Sequence, residues 1–190
     1  MRKVYENMPN IISSFRLMAS PVLLLVTWHD RSELFLAILA LSLFSDAIDG
    51  MIARRLKVTT KLGAKLDSWA DFITYLTVAL CAWRLWPEIL KREIFFVGAG
   101  IVFLILPVLA GFVKFKQLPS YHTCAAKILA VLMSIAIFTL FITGIVWPFQ
   151  CAVILQFFVA IEEIAITLLL KEQRHNIPSF WHLIHSPSQV

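Results

Sequence analysis

The chain alternates between long apolar runs and short polar connections. Six runs stand out, at about 11–28, 34–56, 66–86, 94–113, 125–147 and 149–170. Each approaches the roughly 20 apolar residues that carry an α-helix across the hydrocarbon core of a bilayer. The fifth and sixth meet at "WPF", where Pro148 suits a tight turn because it lacks an N–H and resists continuing a helix. The pattern predicts an all-α polytopic membrane protein of six transmembrane helices. With six spans in 190 residues, the connections are short. Residues 1–175 then form one membrane domain, and 176–190 an interfacial or irregular tail with Phe180 and Trp181 near the headgroups.

Composition agrees with this reading. Hydrophobic residues make up 59% of the chain and charged residues 15%, with a mean hydropathy of +0.81. A soluble domain of this length could not cover so much apolar surface. Arg16 inside the first run, without a small-residue cleavage site after it, argues against a cleaved leader. Cys81, Cys124 and Cys151 show no metal-ligand spacing and are expected to be small buried apolar residues. Charge then orients the spans. Six spans put both termini on one side, with twelve Lys and Arg, among them Arg54, Arg55, Lys57, Lys61 and Lys65 in a single connection. Only Arg31, Arg84, Lys91 and Arg92 fall on the other side. The richer side is predicted to be cytoplasmic, in a cell inner membrane or its equivalent. The net charge of +5 suits anionic headgroups or phosphate-bearing substrates, whereas no basic tract outside the flanking loops points to nucleic acid.

The acids are unevenly placed. Four of the five aspartates lie in the stretch "SDAIDGMIARRLKVTTKLGAKLDSWAD". Asp46 and Asp49 are three apart, Asp67 and Asp71 four apart, and both spacings put a pair on one helical face. An antiparallel hairpin of the second and third spans would bring four carboxylates to one depth, in a polar cavity open to the cytoplasmic side. Four unpaired anions cannot stay ionised together at low dielectric. Either they pair with Arg54, Arg55, Lys61 or Lys65, or a cation sits among them. Oxygen-only ligands select a hard ion, Mg²⁺ or Mn²⁺ before Zn²⁺. Gly50 and Ala53 leave a strip without bulk, where a flat group could approach the backbone. Gly63 serves the same purpose or simply helix packing. Arg54 offers a planar fork for phosphate, or a positive-inside anchor. Together these features suggest a nucleotide diphosphate ligand.

From Asp46 to Asp71 the residues read D-x2-D-G-x2-A-R-x8-G-x3-D-x3-D, all eight fixed positions present. This string resembles the signature of the CDP-alcohol phosphatidyltransferases, integral-membrane enzymes that make phospholipid headgroups. The resemblance implies that Asp46, Asp49 and Asp67 bind two metal ions, while Asp71 contacts metal and acts as general base. It implies that Gly50, Ala53 and Arg54 line the CDP site, with Gly63 beside them, and that Thr60 touches a phosphate. "PNIISSFR" resembles the family's amino-terminal segment, which puts Pro9, Asn10 and Ser13 beside the nucleotide; Asn10 also suits a cap of the first helix. The implied reaction is metal-dependent transfer of a phosphatidyl group from CDP-diacylglycerol to a small polar alcohol, with release of CMP. A homodimer is implied as well.

Acceptor candidates are less sharply drawn. His122 and Lys127 sit at the cytoplasmic entrance to the fifth span, and Glu162 and Glu163 about 12 Å from the cytoplasmic end of the sixth, at 1.5 Å per residue. Lys127 could hold an acceptor phosphate or anchor its helix among headgroups. His122 suits the interface, and either glutamate an acceptor or a structural partner. Lys114 and Lys116 are expected to snorkel to the surface. Ser68 and Phe72 in "LDSWADF" depart from the family's glycerophosphate branch, and "FITYLTVALCAW" lacks a feature of its serine branch. The small chain and basic loops lean to glycerol 3-phosphate, with inositol phosphate, inositol and serine as alternatives. A cation transporter, or a catalytically inactive scaffold, is the reading from another class.

Overall fold

The computed structural model describes residues 17–56, 61–116, 121 and 123–170, with side chains at all of these except 46–56, 61–68 and 71. Among the described residues there are seven helices and no strand: α1 (Leu17–Trp28), α2 (Ser32–Leu56), α3 (Lys61–Leu85), α4 (Pro87–Arg92), α5 (Ile94–Phe115), α6 (Cys124–Thr143) and α7 (Trp147–Leu169). The chain divides into two compact units, Met1–Glu88 and Ile89–Val190.

In the first unit a guanidinium ties the helix ends together. Asp30 takes the left-handed conformation at φ 54° just beyond α1, one that aspartate tolerates better than most residues. Arg84, near the end of α3, donates from Nε to Thr27 O (3.2 Å) and Asp30 Oδ1 (3.0 Å), and from Nη2 to Asp30 Oδ2 (3.2 Å). It also lies 5.6 Å from the centroid of the Trp28 ring. The guanidinium also reaches Trp28 O at 3.4 Å, adding a donor to the carbonyl end of α1 and a cation where the helix dipole favours one. At the same level, fully buried Phe35 meets Trp86 edge-on at 5.8 Å between centroids. The start of α2 and the end of α3 therefore lie together.

In the second unit α5 and α6 both pack on α7. Gln156 Nε2 donates to Gly100 O at 3.1 Å, and a Cβ on Gly100 would come 3.5 Å from Gln156 Oε1. Phe103 and Phe157 pack with their rings tilted by 53° and centroids 5.2 Å apart. At one end the buried Glu93 carboxylate accepts from Gln150 Nε2 at 2.8 Å and faces Arg92 at 3.5 Å. At the other, exposed Lys114 extends its ammonium to Leu168 O (2.7 Å), so it caps the dipole of α7 rather than only reaching for solvent.

Large apolar side chains face outward on the long helices, Phe95, Val113 and Leu168 among them. Three helices, α5, α6 and α7, are long and apolar enough to cross a bilayer. The described parts of the first three predicted runs are helical too, with shorter apolar stretches at Leu17–Trp28, Ser32–Ser45 and Phe72–Leu85. In α2 and α3 the stretches end where the charges of 46–71 begin.

Several expectations are corrected. Pro148 does not make the turn between the last two helices: it sits in the first turn of α7, where its missing N–H would have had no intrahelical partner. Gly144, at φ 73°, ends α6 instead and donates its N–H to Leu140 O. The expected third connection contains α4, a single short helix opened by Pro87. Cys81 is buried as expected, but Cys124 and Cys151 are exposed, for a small apolar side chain suits a lipid-facing position as well as a core.

Candidate functional site

The buried face of α2 can be followed residue by residue. Phe35, Leu39 and Ser42 are almost wholly buried and step by four and three positions. The same alternation continues through Asp46, Asp49 and Ala53. On α3 the buried positions Cys81, Val78 and Thr74 lead back by three and four to Asp71 and Asp67. Both aspartate pairs therefore hold register positions on strips whose described members are turned inward. The Phe35–Trp86 contact fixes the relative level. At 1.5 Å per residue, Asp46, Asp49 and Asp71 come about 17, 21 and 23 Å along the helices from it, and Asp67 about 29 Å. Three acids thus share roughly one turn of depth, and the fourth sits a turn nearer the loop.

Gly50 and Arg54 lie on α2 beside this strip, and Gly63 in the first turn of α3. The side chains of Asp46, Asp49, Ala53, Arg54, Asp67 and Asp71 lie outside those described. Pro9, Asn10, Ser13, Thr60 and His122 lie outside the described residues altogether, as does the segment 176–190. Among the described residues no group of three or more His, Cys, Asp or Glu could hold a metal ion.

Two described side chains on these strips were not singled out from sequence. Ser42 is 1% exposed and Thr74 3% exposed, and the hydroxyl of each is buried without a hydrogen-bond partner. Their positions one turn from Asp46 and Asp71 were available as a signal, but the lack of a partner is a property of the packing.

The second unit holds the expected acceptor candidates that are described. Lys127 is exposed in the first turn of α6, which Thr123 caps: its Oγ1 accepts from Ala126 N at 3.1 Å. Glu162 and Glu163 lie half-buried on α7. Near Glu163 the structure adds Tyr121, not expected from sequence, 2% exposed and packed with Phe115, Ile166 and Leu170. Its hydroxyl is 2.9 Å from Thr167 Oγ1. Thr167 commits its own proton to Glu163 O at 2.8 Å, so Tyr121 is the donor. Burial pushes the Tyr121 phenol up, Thr167 opposes the shift, and the charge of Glu163 adds to it. The phenol stays protonated at neutral pH, as a buried donor should. Tyr121 thus ties the connection before α6 to α7, next to the expected Glu163.

A family model described as CDP-alcohol phosphatidyltransferase matches residues 6–169. The chain is 33% identical over 121 residues to CDP-diacylglycerol–glycerol-3-phosphate 3-phosphatidyltransferase of Aquifex aeolicus, covering 61% of this chain and 66% of that protein. It is 34% identical over 82 residues to the chloroplastic CDP-diacylglycerol–glycerol-3-phosphate 3-phosphatidyltransferase 1 of Oryza sativa, covering 42% and 24%. Similarity to a probable CMP-forming cardiolipin synthase of Drosophila melanogaster is 32% over 113 residues, covering 54% and 35%. The match thus spans less than two thirds of the length of each of these relatives. No solved structure gives a significant match. Expected from the eight-position motif and supported by a match over most of its length, the chain belongs to the CDP-alcohol phosphatidyltransferase family.

Proposed function

We propose that this chain transfers a phosphatidyl group from CDP-diacylglycerol to glycerol 3-phosphate and releases CMP. The observation that carries the reading is the register of α2 and α3, whose buried strips run without a break into the two aspartate pairs. Carboxylates at such positions need positive charge beside them. The donor set is oxygen-only, and orphaned hydroxyls lie one turn away, which fits two hard ions, Mg²⁺ or Mn²⁺. Asp46, Asp49, Asp67 and Asp71 would hold them. When bound, such ions neutralise the diphosphate and make CMP a tolerable leaving group.

The chain's own residues do the rest. Gly50 and Ala53 admit the flat base against the α2 backbone, with Gly63 opposite, and Arg54 pairs with a phosphate oxygen. Pro9, Asn10, Ser13 and Thr60 complete the nucleotide side. Asp71 accepts the proton of the acceptor hydroxyl as its oxygen attacks the lipid-side phosphorus. The new ester bond forms as the bond from that phosphorus to the bridging oxygen breaks, so CMP leaves with the electron pair and no phosphoryl-enzyme intervenes. Lys127 and His122 receive the acceptor phosphate, with Glu162 and Glu163 orienting its hydroxyls. The chain spans the membrane six times, with the termini and cavity cytoplasmic, and works as a homodimer.

Two relatives named for a glycerol-3-phosphate 3-phosphatidyltransferase support the acceptor. Relatives named as CMP-forming cardiolipin synthases favour a second reading, with a lipid product of that class. Purified protein given labelled CDP-diacylglycerol, Mg²⁺ and a panel of alcohols separates the two. CMP release reports the chemistry, and the labelled lipid names the acceptor. The expected result is one CMP per phosphatidylglycerol phosphate with glycerol 3-phosphate. No CMP with any acceptor would overturn the enzymatic reading, and cardiolipin as the product would replace the acceptor.

A further inference from the structure

The two fully enclosed, orphaned hydroxyls differ from five other helical hydroxyls of the fold. A serine or threonine in a helix always has one partner at hand, the carbonyl four residues earlier. Thr27, Ser134, Thr139, Thr143 and Thr167 all take it, at 2.6–2.8 Å. Ser42 and Thr74 do not take it, although Ile38 and Ala70 stand at the right spacing. Both are deeply buried, and buried polar groups in native proteins are rarely left unmatched. Their positions share a second property. Ser42 precedes Asp46 by four residues on the inward strip of α2, and Thr74 follows Asp71 by three on that of α3. Each is therefore the next residue along its strip, one turn nearer the middle of the apolar stretch than its aspartate.

We propose that Ser42 and Thr74 are positioning residues: when metal is bound, each donates its hydroxyl to a carboxylate one helical turn away, Ser42 to Asp46 and Thr74 to Asp71. This rests on the reading of the four aspartates as metal ligands. A carboxylate that binds an ion through one oxygen needs a donor on the other to hold its orientation. Groups in that role are worth typically 10- to 100-fold in metal affinity. Apolar side chains of the same shape would fill the space but supply no proton.

The test measures Mn²⁺ alone, by electron paramagnetic resonance of the free ion, on the full chain in detergent. Wild type is compared with Ser42→Ala, Thr74→Val and the conservative Thr74→Ser, and thermal unfolding is followed without metal. We expect Ser42→Ala and Thr74→Val each to bind Mn²⁺ 10- to 100-fold more weakly, with Thr74→Ser close to wild type. Without metal, Thr74→Val should unfold at the same temperature as wild type or higher, since it removes a buried hydroxyl that had no partner. Affinities within twofold of wild type would overturn the assignment. So would a loss of stability without metal that matches the loss of affinity, which would make the hydroxyls structural. Wild type that binds no Mn²⁺ would overturn the metal reading itself, and this proposal with it.

Discussion

At the scale of single residues, four aspartates of one chemical type are assigned unequal tasks. Asp71 alone has to exchange a proton with the acceptor, while Asp46, Asp49 and Asp67 only carry charge. An amide at 71 keeps the size and one oxygen donor but cannot take a proton. Asp71→Asn should therefore bind CMP within a few-fold of wild type and lose about 10²–10⁴ in turnover, the usual share of a general base. Equilibrium binding of labelled CMP beside initial rates of CMP release checks this, and a fully active variant would end the assignment. The acids were legible because the helical period is written in their spacing of three and four. Tyr121 was not, because the group that gives it meaning, Thr167, lies 46 residues away. Ser42 and Thr74 looked like ordinary small polar residues, since a missing partner is visible only once the surrounding helices are in place.

At the scale of elements, helices were legible from apolar runs, but their ends obeyed rules that hydrophobicity does not record. The fifth apolar run extends to residue 147, yet α6 stops at Thr143 because Gly144 takes the left-handed cap without a Cβ penalty. α4 escaped notice since six residues are too few for a periodic signal. The start of α6 depends on Thr123, a fully buried cap whose Oγ1 holds the N–H of Ala126 next to Lys127. Thr123→Ala should cost about 1 kcal/mol, and Thr123→Ser only a few tenths, since a serine keeps the accepting oxygen. Thermal unfolding of the detergent-solubilised variants reads the difference. If the two substitutions cost the same, the buried methyl matters rather than the cap. If Lys127 also receives the acceptor, Thr123→Ala should raise KM for glycerol 3-phosphate more than it lowers kcat, because the fraying is confined to that first turn.

At the scale of the whole molecule, the segregation of charge along the helices predicts a topology. In α2 the apolar stretch ends at Ser45 and in α3 it begins at Phe72, so both helices carry their charges toward the connection between them. That connection holds Arg54, Arg55, Lys57, Lys61 and Lys65, whereas the opposite ends of these helices have only Arg31, just before α2, and the clasped Arg84. Basic residues in short loops are held back on the cytoplasmic side, so the acid-bearing ends should lie there with them. The prediction is tested with one cysteine at a time, in a background where Cys81, Cys124 and Cys151 are replaced by alanine. Lys57→Cys should react with a membrane-impermeant maleimide in inside-out vesicles and stay unlabelled in right-side-out ones. Lys91→Cys, on α4 beyond the other end of α3, should show the reverse. Labelling of both from the same side would mean that α3 does not cross the bilayer, and the aspartates of α2 and α3 would then have no common cytoplasmic cavity to share.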